Sequence, residues 1–128
     1  MNNNNPLVLV VDDNPINLKL ASDLLEIEGL QVQRAVDAET AIVMINNDRP
    51  DLILMDVALP GMDGLTLTRQ LKGAPETKEI IIVALTAFAM KGDQDKIIAA
   101  GCDGYITKPI NTRQFPIEVK KYFNSKTN

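Results

Sequence analysis

Leu7-Val8-Leu9-Val10-Val11-Asp12-Asp13-Asn14-Pro15 is the stretch on which the fold turns. Its first five residues are all apolar, and Val8, Val10 and Val11 are β-branched. A strand with one wet face would alternate, so this run reads as a strand covered on both faces. Two aspartates end it, and Asn14-Pro15 then supplies a cap residue followed by proline at the first helical position. A helix can run from Pro15 to about Glu28, where Gly29 ends it. Ile16, Leu20, Leu24 and Ile27 recur along one face.

The same unit recurs along the chain. Gln31–Ala35 alternates as a short strand, and Asp37 caps a helix with Ala38, Ala41, Ile42 and Ile45 turned inward. Leu52–Met55 reads as a third strand, and the loop Leu59-Pro60-Gly61-Met62-Asp63-Gly64 leads to a helix over about Leu65–Lys72. Ile80–Leu85 is a fourth apolar strand. A helix around Lys91–Ala100 ends at Gly101, a short strand covers Tyr105–Thr107, and a last helix reaches Phe123. Pro116 conflicts with an uninterrupted last helix, which must either begin near it or have an irregular first turn.

Five strands alternating with five helices require right-handed crossovers and a parallel sheet. The most apolar strands, the first, third and fourth, belong at the centre, and the second and fifth at the edges. The expected fold is therefore α/β: a flavodoxin-like, doubly wound (βα)5 sandwich of strand order 2-1-3-4-5 with helices on both faces. The expected organisation is an Asn-rich tail over 1–6, one domain over 7–123 and a polar tail over 124–128.

At 128 residues the chain suits one domain with a sizeable core. Its net charge of −4 argues against a nucleic-acid groove and gives no attraction to anionic membranes. No apolar run approaches the roughly 20 residues of a membrane span, and the Asn2–Asn5 start has no signal-peptide core. The lone Cys102 cannot form an internal disulfide, so the expected location is the cytoplasm. The absence of histidine removes imidazole ligands, histidine bases and any phosphohistidine carried by this chain.

In a sheet of this kind functional groups gather at the carboxyl ends of the strands. Asp12 and Asp13 follow the first strand, Asp56 ends the third, Thr86 ends the fourth and Lys108 follows the fifth. Clustered carboxylates repel unless protonated or neutralised by a cation, and an all-oxygen set fits a hard divalent ion, best magnesium. A carboxylate can then attack phosphorus to give an aspartyl phosphate, with Lys108 and Thr86 steadying the phosphoryl oxygens. Taken singly, each feature has a plainer reading. Asp-Asp-Asn-Pro is a capping turn, Lys108-Pro109 a loop, and Thr86 a β-branched strand end. Gly61 and Gly64 read as turn formers, since their loop lacks the G-x-x-x-x-G-K-[ST] pattern, and Cys102 as a small buried filler.

Val10-Val11-Asp12-Asp13-Asn14, Leu54-Met55-Asp56 with Pro60-Gly61-Met62-Asp63-Gly64, Thr86-Ala87 and Lys108-Pro109 resemble, in this order and spacing, the receiver domains of two-component response regulators. The resemblance spans about Leu7 to Phe123. Thr86-Ala87-Phe88-Ala89-Met90-Lys91-Gly92-Asp93 and Gly101-Cys102 with Tyr105-Ile106 further resemble stand-alone, single-domain members, and similar stretches occur in receivers fused to hybrid histidine kinases.

The resemblance implies a phosphoacceptor, Asp56, rather than an enzyme. Asp13, Asp56 and the backbone carbonyl of Ala58 would bind magnesium directly and Asp12 through water. Lys108 would contact the phosphoryl group across a cis Lys108–Pro109 bond, and Thr86 and Tyr105 would form the switch. The donor would be a histidine kinase or histidine phosphotransfer protein docking near Pro15–Leu18 and Pro109-Ile110. The output would be a protein target on the face of the fourth helix, fifth strand and fifth helix, with the chain a monomer. Magnesium-dependent self-phosphorylation from small donors would accompany the acceptor role, and Ala58 and Phe88, which flank the site without a group to orient water, imply slow self-dephosphorylation. The alternative source is a receiver cut from a hybrid kinase or larger regulator. A flavin enzyme on this fold is disfavoured by the acidic first loop and the lack of tryptophan. A receiver that binds without phosphorylation is disfavoured by the presence of all five site residues.

Overall fold

The computed structural model describes residues 6–59, 61–87 and 90–127. In chain order the elements are β1 (Leu7–Val11), α1 (Pro15–Ile27), β2 (Gln31–Ala35), α2 (Ala38–Asn47), β3 (Leu52–Asp56), α3 (Gly64–Gly73), β4 (Ile81–Thr86), α4 (Lys91–Ala99), β5 (Gly104–Thr107) and α5 (Gln114–Thr127). The strands pair in parallel in the order β2-β1-β3-β4-β5, the flavodoxin-like order that their hydrophobicity predicts. Among the described residues no helix is long and apolar enough to cross a membrane.

Alternation along the central strands divides the core into two layers. Leu9, Val11, Ile53, Met55, Ile82 and Ala84 pack toward α2, α3 and α4. Val8, Val10, Leu52, Leu54, Ile81, Val83 and Leu85 pack toward α1 and α5, where Phe115 and Val119 meet Leu18, Ala21 and Leu25. Every residue of β1, β3 and β4 is buried, as the continuous apolar runs require.

The buried face of α1 is not centred on the stripe of Ile16, Leu20, Leu24 and Ile27. Leu18, Ala21, Ser22 and Leu25 are its buried residues, whereas Ile16 and Ile27 are exposed and Leu20 is just exposed. The helix carries two apolar stripes, and the sheet takes the one that includes a serine. Ser22 is admitted because its hydroxyl donates to the Leu18 carbonyl at 2.7 Å, so no polar group is left bare. In α2, by contrast, Ala38, Ala41 and Ile45 are buried and Ile42 packs against them, as the spacing predicts.

At the other end of the chain α5 begins two residues before Pro116, placing the proline in a first turn whose N–H groups lack intrahelical partners. Asn111 caps this turn, its Oδ1 accepting from the N–H groups of Arg113 and Gln114 at 3.0 Å each. Asn111→Ala is expected to cost about 1 kcal/mol, read as a lower urea midpoint at unchanged slope. α5 also continues to Thr127 rather than stopping at Phe123, so the expected 124–128 tail is helical through residue 127. Asn124-Ser125-Lys126-Thr127 is polar, but it holds neither glycine nor proline, and polarity alone does not end a helix. The Asn2–Asn5 tail lies outside the described residues.

Candidate functional site: an acidic crevice with one half-buried lysine

Because the sheet is parallel, the loops after β1, β3, β4 and β5 open on the same edge. Ligand atoms of Asp12, Asp13 and Asp56 all lie within 4.8 Å of one another. Asp12 and Asp56 are buried and Asp13 is exposed. The Lys108 ammonium sits against the cluster, 3.3 Å from Asp12 Oδ2 and 3.1 Å from Asp56 Oδ2. Backbone bonds hold these positions: the Asp12 N–H donates to Ala35, Val57 to Leu85, and Lys108 to Thr86 at 2.8 Å.

The carboxylates are oriented by neighbouring N–H groups. Asn14 donates to Asp12 Oδ1 at 2.9 Å, and Ala58 to Asp56 Oδ1 at 3.0 Å. Asn14 also caps α1, accepting from Ile16 and Asn17, so one short loop both starts the helix and aims Asp12. Burial pushes the Asp12 carboxyl above its usual range and the Asp56 charge adds to this, against the Asn14 hydrogen bond and Lys108. For Lys108, burial works to lower its affinity for a proton, but the hydrogen bond and charge of Asp56, joined by Asp12, win and raise it.

Three ionised carboxylates and one ammonium sum to −2 (−3 + 1), which one divalent cation balances. The all-oxygen donor set suits a hard ion such as magnesium, so the residues present fit that group.

Thr86 is buried at the end of β4, one residue beyond Leu85, which pairs with Asp56 of β3, and lies opposite Thr107 of β5. Tyr105 is half-buried against the α2–α4 layer and lines a cavity of about 450 Å³ with Thr107, Pro109 and Glu118. The Lys108–Pro109 peptide is cis. Ala58 is exposed, and Phe88 lies outside the described residues.

Reading the sequence missed two contributors. Gly64 is no turn former; only Gly61 of the pair has a positive φ, at 73°. Gly64 opens α3 so close to β3 that an added methyl would overlap the Asp56 backbone oxygen. Glycine at a helix's first position, where it costs propensity, is the signal that marks it. Tyr122 of α5 is the second. Its hydroxyl fills the gap over Gly104, and with Tyr105 it lines a neighbouring cavity of about 290 Å³. Burial, then the charges of Glu118 and Asp103, push its phenol upward.

Lys108 and Tyr122 both hold their protons longer folded than unfolded, which makes the native state the more proton-rich at alkaline pH. Stability is therefore expected to fall as pH rises past the ordinary values of 10.0 for tyrosine and 10.5 for lysine. Urea titrations at roughly pH 9 and roughly pH 11 should show the decline, and Tyr122→Phe should make it shallower.

Comparison with known proteins agrees with this geometry. Residues 8–120 match the response regulator receiver domain. The chain is 44% identical over 115 residues to the polar-differentiation response regulator DivK of Brucella anthropi, covering 90% of this chain and 94% of that protein. Among solved structures, the signal receiver domain of a signal transduction histidine kinase from Syntrophus aciditrophicus superposes with a TM-score of 0.86 at 32% identity, covering 94% of this chain and 91% of that one. The chemotaxis protein CheY4 of Vibrio cholerae gives 0.87 at 26% identity, covering 91% and 98%. With a family match over most of its length and the acidic cluster and lysine in place, the chain belongs to the response regulator receiver domains of two-component signalling.

Proposed function

We propose that this chain accepts a phosphoryl group on Asp56 from a histidine kinase or histidine phosphotransfer protein and passes the signal on by protein–protein contact. The supporting observation is the Lys108 ammonium seated between Asp12 and Asp56, with Asp13 beside them. An Asp56 carboxylate oxygen forms the new O–P bond as the N–P bond of the donor phosphohistidine breaks, and the imidazole leaves with that electron pair. The Ala58 N–H on Oδ1 and Lys108 on Oδ2 fix the carboxylate before transfer, so little reorganisation is needed.

Lys108 then opposes the charge of the phosphoryl oxygens, and the Thr86 hydroxyl donates to one of them. Asp13, Asp56 and the Ala58 carbonyl would hold magnesium directly and Asp12 through water; when bound, the ion neutralises phosphoryl charge. Thr86 moving toward the phosphate and Tyr105 turning inward would change the α4–β5–α5 face and the protein it binds. The donor docks across Pro15–Leu18 and Pro109-Ile110, which border a hollow of about 240 Å³ lined by Asn17, Ala87, Lys108, Pro109 and Ile110. Ala58 brings only a methyl group, unable to orient water, so self-dephosphorylation is slow.

Intact mass after incubation with acetyl phosphate and magnesium tests the acceptor. The wild type should gain one phosphoryl group, about 80 Da, and Asp56→Asn or chelation should abolish the gain. A wild type that takes no phosphoryl group from acetyl phosphate or from a phosphorylated phosphotransfer protein would overturn the reading.

A further inference from the structure

Two of the side chains around the hollow beside the crevice are polar, Lys108 and Asn17. Lys108 is engaged with Asp12 and Asp56. Asn17 is half-buried in the first turn of α1, and among the described residues its carboxamide makes no hydrogen bond. The fold therefore makes no use of this amide.

Its position is nonetheless fixed. The Asn17 N–H donates to Asn14 Oδ1 at 3.2 Å, and the Asn14 N–H donates to Asp12 Oδ1 at 2.9 Å. One short loop thus braces the amide against the acidic cluster. Lys108 lines the hollow while its ammonium lies 3.1 Å from Asp56 Oδ2, so a group held there stands beside the acceptor carboxylate. The remaining walls, Ala87, Pro109 and Ile110, are apolar, and Ile110 packs against the α1–α5 layer. At about 240 Å³ the hollow is smaller than the roughly 300–1,000 Å³ of pockets that enclose drug-sized ligands. Small, largely apolar and carrying one unused amide, it suits a flat five-membered ring with a polar nitrogen at its edge.

We propose that Asn17 positions the phosphodonor: its Oδ1 accepts a hydrogen bond from the phosphohistidine ring, at the nitrogen that does not carry phosphorus. The proposal rests on the acceptor reading above and names the group that receives the donor's ring. As Asp56 bonds to phosphorus and the N–P bond breaks, the electron pair goes to the departing nitrogen. A ring still protonated at its other nitrogen leaves as neutral imidazole. One without that proton would leave as an anion, a far poorer leaving group. Oδ1 holds the proton in place and the ring turned toward Asp56. An amide does so without charge, whereas a fourth carboxylate would add to the repulsion within the cluster.

Phosphoimidazole and phosphoramidate test this, since both are N–P donors and only the first carries the ring. Phosphorylation rates with magnesium are followed by intact mass for each donor, and their ratio is the readout. Asn17→Ala should lower the ratio of phosphoimidazole to phosphoramidate rates about 10–100-fold, the effect of losing one hydrogen bond to a charged group. Asn17→Asp keeps an acceptor oxygen; its added charge slows both donors, yet the ratio should stay near that of the wild type. A ratio unchanged in Asn17→Ala would overturn the proposal and leave the acceptor reading standing. So would a ratio that falls as far in Asn17→Asp. A wild type that takes a phosphoryl group from neither donor would overturn both.

Discussion

Gly64→Ala, a single added methyl, is expected to cost about 3 kcal/mol or more and to abolish phosphoryl acceptance. The new carbon would overlap the Asp56 backbone oxygen and stand 2.9 Å from Met55 Cγ and 3.0 Å from the Asp56 carbonyl carbon. Two of these three atoms are backbone of a central strand with neighbours paired on both sides, so they cannot step aside. Relief must come from α3 lifting off β3, which disturbs the loop whose Ala58 N–H orients Asp56. Urea denaturation and intact mass should therefore fail together. Gly73→Ala, at the other end of α3 where an added methyl meets nothing, should leave both nearly unchanged, within about 0.5 kcal/mol for stability.

Lys108→Met is expected to separate two effects that are usually lost together. The substitution keeps an unbranched stem but removes the ammonium between Asp12 and Asp56. The rate of phosphoryl acceptance should fall about 10²–10³-fold, the scale seen when one charge-stabilising donor is removed. Magnesium should bind several-fold more tightly, because Lys108 repels a second cation brought to the same carboxylates. A calorimetric magnesium titration beside a phosphorylation time course reads both. Weaker magnesium binding in the variant would mean that Lys108 assembles the carboxylates rather than competing for them.

Much of the fold is legible because the chain states it twice, in apolar runs and in the caps between them. Leu7–Val11 and Leu52–Met55 can be nothing but covered strands, and Asn14, Asp37 and Asp63 each accept from N–H groups of the following helix. The crevice is legible for the same reason: once the strands are parallel, whatever follows them must meet.

What escaped the reading depends on contacts between distant residues. Periodicity placed Ile16, Leu20, Leu24 and Ile27 on one stripe but could not say which way the stripe faces. That choice rests on how Ala21 and Ser22 let α1 close on the sheet. Gly64 looked like a loop residue because its constraint comes from the backbone of Asp56, eight positions earlier. Tyr122 is set by the absence of a side chain at Gly104, which no local pattern reveals.

The pairing of Tyr105 with Tyr122 around one cavity gives the protein a built-in optical probe. They are its two tyrosines, and it has no tryptophan. Essentially all its near-ultraviolet emission therefore originates from one patch of β5 and α5. Any rearrangement of that patch should be visible as a change in intrinsic fluorescence, in unlabelled protein and in real time.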